Sequence, residues 1–166
     1  MKTLLILRHG EAEQGIPNHD FERALKKHGE QEAQAAGEEV RRQIQQMQPG
    51  TQLDLIISSA AHRAQQTAKQ AAQTAGYDGP IEKLETLYLS GVPQHLEVLA
   101  GLNETCQNVL LVGHNPDLED LVNRLRGEYV PLTTGALVGI ALDTDSWKTM
   151  SAVPGTLRFV FFAKES

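Results

Sequence analysis

A chain of 166 residues, 40% hydrophobic and 22% charged, fits a single domain over residues 1–166 that buries about two thirds of the surface its unfolded form exposes, which excludes a disordered chain. Fifteen Lys plus Arg against 21 Asp plus Glu give a formal charge of −6, which argues against a broad nucleic-acid-binding face and requires any anionic ligand to find a local cationic pocket. Cys106 is the only cysteine, so an internal disulfide and a four-cysteine zinc site are excluded, as suits a reducing, cytoplasmic compartment.

The first apolar run, Leu4 to Leu7, meets Arg8 and His9 too early for a signal peptide or a membrane span. With no polar alternation, it reads as a strand buried on both faces. A loop rich in Gly, Pro and Asn follows from Gly10 to about His28. It is long for a compact domain, and long loops often carry function. From Gln31 to Met47, the residues Ala33, Ala36, Val40, Ile44 and Met47 recur at three- and four-residue steps, the spacing of one apolar helix face. Pro49-Gly50 ends that helix. Leu53 to Ile57 predicts a second strand, and Ser58 or Ser59 caps a helix that begins near Ala61 and buries Ala64, Ala68, Ala71 and Ala75. Ile81 to Leu84 predicts a short edge strand and Gln94 to Leu102 a helix. Val109 to Val112 predicts a third buried strand, followed by a helix that starts at Pro116 and buries Leu118, Leu121, Val122 and Leu125. Leu137 to Leu142 and Arg158 to Phe162 are two further apolar strands, with an antiparallel member expected among them. The alternation predicts an α/β fold: a three-layer α/β/α sandwich with a mainly parallel central sheet.

Three of these strands run straight into polar residues: Leu4 to Leu7 into Arg8-His9-Gly10, Leu53 to Ile57 into Ser58-Ser59 and then Arg63, and Val109 to Val112 into Gly113-His114. Ligands of open α/β sheets bind beyond the carboxyl ends of the strands. If the three strands are parallel neighbours, two histidines and two arginines meet there. Such a cluster suits phosphoryl transfer, whose transition state spreads negative charge over oxygens that rigid guanidinium donors hold well. A neutral imidazole accepts a phosphoryl group at physiological pH, and neighbouring cations keep His9 neutral. Gly10 leaves room for a phosphate to approach and for the backbone to turn. Taken singly, each residue has a plainer reading. An Arg-His pair is commonly an exposed strand end, and Arg63 alone would pair with a surface carboxylate. His114 alone would satisfy backbone groups at a helix start. The match of three strand ends is what points to chemistry. His19, His28, His62 and His95 sit in polar stretches and read as solvated. The chain has no GxxxxGK[ST] phosphate loop, HExxH zinc helix or GxSxG elbow.

The segment RHGEA at Arg8 to Ala12 resembles the signature of the histidine phosphatase (phosphoglycerate mutase-like) superfamily. Asp20-Phe21-Glu22-Arg23-Ala24-Leu25 followed by Gly29, the run SSAAHRAQQTA from Ser58, and GHNP from Gly113 are similar to further family segments in order and approximate spacing. The resemblance covers most of the chain, and the small size is most similar to the short bacterial phosphohistidine phosphatases of the SixA type. It implies His9 as the phosphorylated nucleophile, with Arg8, Arg63 and His114 holding the phosphoryl oxygens. It also implies Arg23 near the substrate, hydrogen-bonding support from Ser58 and Asn115, and no metal or cofactor. One departure stands out, since no Gly and aromatic-Glu-Gly signature follows Glu85. By position alone the proton donor is Glu85, Glu11 or Glu13. Phosphohistidine eases that demand, because an imidazole leaving a P–N bond asks less of an acid than an alkoxide does. The expected substrate is therefore phosphohistidine on a signalling or phosphotransfer protein, with no nucleic-acid or membrane partner and the oligomeric state unassigned. A phosphomonoesterase or mutase for small phosphorylated metabolites, and a phosphate-binding module without turnover, are the competing expectations.

Overall fold

The computed structural model describes residues 1–163, so the last three residues of the expected 1–166 domain lie outside the described residues. Six strands form one sheet: β1 (Lys2–Arg8), β2 (Leu55–Ser59), β3 (Ile81–Leu84), β4 (Asn108–Gly113), β5 (Leu137–Leu142) and β6 (Gly155–Phe161), in the spatial order β3-β2-β4-β1-β5-β6. The first four strands in that order run parallel, β5 runs antiparallel to β1, and β6 antiparallel to β5. Strands β2, β4 and β5 are buried at every position, which is why their sequences lack polar alternation. The short β3, half exposed, is the edge strand its sequence predicts.

Helices cover both faces. On one side α1 (Lys27–Gln45) and α2 (His62–Ala75) bury Ala36, Val40, Ala64, Ala68 and Ala71 against Leu5, Leu7, Ile56 and Leu110. On the other, α3 (Val92–Ala100) and α4 (Asp117–Arg126) bury Leu99, Leu118, Leu121 and Val122 against Leu4, Ile6, Ile57 and Leu111. Successive residues of one strand thus feed opposite cores, as the period of two demands. The result is the three-layer sandwich that the alternation of runs implies.

Several boundaries move. Helix α1 begins at Lys27, four residues before the apolar periodicity does, because its first turn is polar. Helix α2 has no side-chain cap at its N-cap residue Ala61, and the Ser59 hydroxyl accepts the Ala61 amide instead. Helix α3 starts at Val92 and α4 at Asp117, with Pro116 just outside. The stretch from Gly10 to His28 carries a 3₁₀ turn at Asp20–Glu22 and a bridge between Ala12 and Leu25, so it is a built segment rather than a free loop. His95, expected in solvent, is 1% exposed on the same face of α3 as Leu99. Among the described residues no helix is long and apolar enough to cross a membrane.

Helices α1 and α2 touch at Gly37, where a Cβ would lie 2.0 Å from Thr74 Oγ1 and 2.2 Å from the Ala71 carbonyl oxygen. Gly37→Ala should therefore destabilise the protein by up to about 2 kcal/mol in urea denaturation, since an overpacking cost of about 1–3 kcal/mol against backbone outweighs the gain of about 1 kcal/mol from alanine's better helix propensity. An unchanged unfolding midpoint would mean that the two helices separate freely.

Candidate active site

The register of β1 on β4 pairs Arg8 with Gly113, so the two strands end level. The His9 amide then donates to the Gly113 carbonyl at 3.0 Å, carrying the ladder one residue further. His9 and His114 leave the sheet side by side, their ring centroids 5.2 Å apart and the planes tilted by 56°. Strand β2 flanks β4 on its other edge and leads into α2, whose second residue is Arg63. Two imidazoles and two guanidiniums, from three chain segments each more than fifty residues from the next, thus share one end of the sheet.

His9 is 8% exposed, and its Nδ1 donates to its neighbour's carbonyl, that of Gly10, at 2.7 Å. A carbonyl only accepts, so the proton sits on Nδ1 and Nε2 presents a lone pair. Burial, followed by the nearby charges of Arg63, Arg8 and Arg23, pushes the ring's pKa down to about 4 against the upward pull of the Gly10 hydrogen bond. The Gly10 amide donates to Thr67 Oγ1, and the Thr67 hydroxyl donates to the Arg63 carbonyl. Thr67 lies one turn beyond Arg63 on α2 and so joins His9's loop to the arginine's helix. Gly10 has a role beyond room for a phosphate. A Cβ there would lie 2.3 Å from the Gly29 carbonyl oxygen, and one at Gly29 would lie 2.1 Å from that of Glu11. The two glycines interlock the loop with the first turn of α1.

His114 is 1% exposed, and its Nε2 lies 2.8 Å from Ser59 Oγ. That oxygen also accepts the Ala61 amide, and Nε2 is the one acceptor within reach of the Ser59 hydroxyl proton among the described residues; with that proton given to Nε2, the His114 proton is on Nδ1. Burial first, then the charges of His9 and Arg63, push this ring's pKa down to about 3. The supporting hydroxyl is therefore that of Ser59. Ser58, the serine expected in that role, spends its hydroxyl on the Ser59 carbonyl, because adjacent strand residues face opposite ways. Asn115 and Arg8 converge on one acceptor, the Leu132 carbonyl, at 2.8 and 2.9 Å.

Arg63 is held from the 3₁₀ turn. Its Nη1 donates to the Asp20 carbonyl at 2.7 Å and its Nη2 to Asp20 Oδ2 at 3.1 Å. Arg23 donates to Asp20 Oδ1 at 2.9 Å, and the Tyr88 hydroxyl also donates to Oδ2. The Tyr88 hydrogen bond and then the two arginines hold the Asp20 carboxyl well below the usual carboxylate range. Tyr88 meets His114 edge-on with centroids 5.5 Å apart, and Phe21 meets Tyr88 edge-on at 5.0 Å. Arg23 thus lies in the site, and Asp20 mediates its link to Arg63. Sequence reasoning missed Asp20, Tyr88, Thr67 and Ser59. Thr67 had a local signal, the four-residue step from Arg63.

Among the described residues five buried side-chain nitrogens or oxygens have no hydrogen-bond partner, and four of them belong here: Arg8 Nε, Arg63 Nε, His114 Nδ1 and Asn115 Oδ1. Buried polar groups are rarely left unpaired unless a ligand completes them. Three are N–H donors, the set that suits a tetrahedral oxyanion. The glutamates expected as proton donors do not hydrogen-bond the four central groups, although the Glu13 carbonyl accepts Arg23 Nε at 2.6 Å. Glu11 receives Lys26 at 3.1 Å and His28 at 2.8 Å, and those hydrogen bonds, that of His28 first, hold its carboxyl below its ordinary range. Glu13 and Glu85 are exposed. None of the three makes a side-chain hydrogen bond to His9, Arg8, Arg63 or His114. Among the described residues no cluster of three or more His, Cys, Asp or Glu is arranged to hold a metal ion.

Residues 4–88 match the model of the histidine phosphatase superfamily, branch 1. The chain belongs to that superfamily, a class of phosphatases. Its structure superposes on the protein histidine phosphatase SixA complexed with tungstate at a TM-score of 0.80 and 25% identity, covering 96% of both chains. A candidate phosphohistidine phosphatase SixA from Nakamurella multipartitia gives 0.79 at 22% identity, over 96% of this chain and 95% of that one. A mycobacterial glucosyl-3-phosphoglycerate phosphatase gives 0.67 at 16% identity, over 98% of this chain and 99% of that one. A sequence search of curated proteins gives no match.

Asp20 receives both the Arg63 fork and Arg23, so Asp20→Ala should cut kcat on p-nitrophenyl phosphate by about ten- to a hundredfold, the loss expected when a charge donor is misplaced rather than removed. Steady-state kinetics at unchanged circular dichroism would check this. An Asp20→Ala enzyme with wild-type kcat would remove Asp20 from the site's framework.

Proposed function

We propose that the protein is a phosphohistidine phosphatase working through a covalent intermediate on His9. The observation that carries this reading is the set of three unpartnered buried donors, Arg8 Nε, Arg63 Nε and His114 Nδ1, beside an imidazole whose Nε2 lone pair is free. In the first step His9 Nε2 attacks phosphorus in line, and the bond to the substrate nitrogen breaks. The three donors hold the oxygens on which charge accumulates. The leaving imidazole takes a proton from solvent water at the nitrogen that phosphorus left. In the second step water attacks phospho-His9, giving inorganic phosphate and the free Nε2. Arg23, Asn115 and Ser59 support these groups through the hydrogen bonds already described, and Ser58 supports them only through the backbone.

The choice of a P–N bond rests on the carboxylates. Among the described residues Asp20 is the one that pairs with the site arginines, and it is held ionised. Glu11 is ionised by its own partners, and Glu13 and Glu85 are solvent-exposed. An imidazole leaving group tolerates the lack of a strong acid better than an alkoxide does. Likeness to SixA structures supports the same choice, with a phosphorylated protein as partner. Likeness to a glucosyl-3-phosphoglycerate phosphatase supports the second reading, a small phosphorylated metabolite as substrate.

His9→Ala should abolish turnover of a phosphohistidine protein, and Arg63→Ala should lower it on the order of a hundredfold. Rapid quench with ³²P-labelled substrate should trap label on His9, and a His9→Ala protein that keeps most of its activity would refute the nucleophile. A substantially faster rate on a sugar phosphate than on phosphohistidine protein would favour the second reading.

The pH dependence follows from the same ring. His9 is a nucleophile only when neutral, so with its pKa near 4 the rate should hold through the range where an ordinary histidine protonates and fall only as pH drops through about 4. The profile should be measured with p-nitrophenyl phosphate, which survives acid, and with circular dichroism at each pH. An acid limb near 6.5 with the fold intact would show an exposed, unshifted His9.

A further inference from the structure

A groove runs away from the site along the outer side of α2. Its near part is a cavity of about 400 Å³ lined by Phe21, Ala60, His62 and Gln65, among others. Its far part, about 590 Å³, lies between α2 and the edge strand β3 and shares His62 and Gln65 with the near part. Phe21 ties the near end to the chemistry, through its edge contact with Tyr88 and that of Tyr88 with His114. The far end is lined by Gln66, Lys69, Gln70 and Lys83. Lys69 and Lys83 are exposed, and neither makes an ion pair among the described residues. The groove's one carboxylate, Glu22, is at the site end, 3.9 Å from the His19 ring.

On a chain with a formal charge of −6, a glutamine-rich trough with two unpaired lysines and no acid at its far end is a local reversal of sign. We propose that this groove docks an acidic segment of the phosphorylated protein substrate, flanking its phosphohistidine; this rests on the function proposed above. Lys69 follows Arg63 by six residues, about 9 Å along the helix axis, which about three residues of extended peptide span. The lysines would therefore meet carboxylates close to the phosphorylated residue. Such rim charges mainly set encounter rate and partner choice and weaken with salt. Three glutamines, Gln65, Gln66 and Gln70, and His62 line it with polar partners for a peptide. Two lysines are too few for a nucleic-acid face on so acidic a chain.

The test uses two fluorescein-labelled peptides carrying phosphohistidine, one flanked by glutamates and one by lysines. It compares wild type with Lys69→Glu/Lys83→Glu and with a control of equal net charge, Lys148→Glu/Arg158→Glu, whose exposed residues lie outside the groove. At low salt the wild type should dephosphorylate the glutamate-flanked peptide about tenfold faster in kcat/KM than the lysine-flanked one, as expected for rim electrostatics. The groove variant should lose that preference and the control keep it, with all three equal on p-nitrophenyl phosphate. Wild-type indifference to flanking charge, or an equal loss in the control, would overturn the groove. If neither peptide is dephosphorylated while p-nitrophenyl phosphate is, the phosphohistidine reading fails on its own. The groove is then judged by fluorescence anisotropy of the unphosphorylated glutamate-flanked peptide, whose binding must weaken in the groove variant alone. Tighter anisotropy binding of a twelve-nucleotide single-stranded DNA than of that peptide would also overturn it.

Discussion

The hydrogen bond from the His9 amide to the Gly113 carbonyl is the constraint from which the rest of the site follows. It extends the parallel ladder of β1 and β4 past the last paired residues, Arg8 and Gly113. Parallel strands of equal register deliver their next residues at the same height, so His9 and His114 emerge as neighbours without any contact between their side chains having to hold them. The ladder is buried on both faces, where backbone groups have no water to turn to. Site geometry is thereby fixed by the least negotiable bonds in the molecule, and side chains need only tune it.

That tuning works by fixing protons as well as positions. Each ring is anchored through one nitrogen, His9 by a carbonyl and His114 by a hydroxyl that is itself committed to the Ala61 amide. The anchor atoms decide the tautomers: an acceptor sets His9 Nε2 bare, and a donor sets His114 Nδ1 protonated. Two chemically identical side chains, 5.2 Å apart, are thus held by anchors of opposite kind. Burial keeps both neutral in spite of the hydrogen bond that favours the charged form of His9. Asp20 complements this from outside. Its carbonyl and carboxylate occupy both terminal nitrogens of Arg63 and leave Nε directed elsewhere.

The strands were legible because continuous apolar runs have one cheap destination, the middle of a covered sheet. Their polar exits were legible too, since Arg8, Ser59 and Gly113 mark where the apolar runs end. What could not be read was which strands are neighbours, a property of the order β2-β4-β1 that no local pattern encodes. The Ser58 and Ser59 pair shows the finer limit. Either serine fits a strand end, and a step of one residue exchanges the two faces. The Asp20 contact with Arg63 and the Tyr88 contact with Asp20 were invisible because they span 43 and 68 residues of chain. His95 was hidden by its polar neighbours Gln94 and Glu97, although its four-residue step to Leu99 carried the correct signal.

The resemblance of segments far apart in the chain also acquires a mechanical sense. Gly10 and Gly29 belong to two such segments, and each lacks a side chain where the other's backbone passes. Glu32, one turn further along α1, accepts the Glu11 amide and the Thr134 hydroxyl, and the Gly135 amide beside it donates to the carbonyls of Arg8 and His9. The segments after β1, at the start of α1 and before β5 therefore close on one another around the same two residues. A side chain at either glycine would push α1 outward, and with it Glu32, so damage to packing would reach the His9 loop through backbone hydrogen bonds. In this fold the short motif and the helix face downstream are one structural unit, and a substitution in the second is expected to be felt in the first.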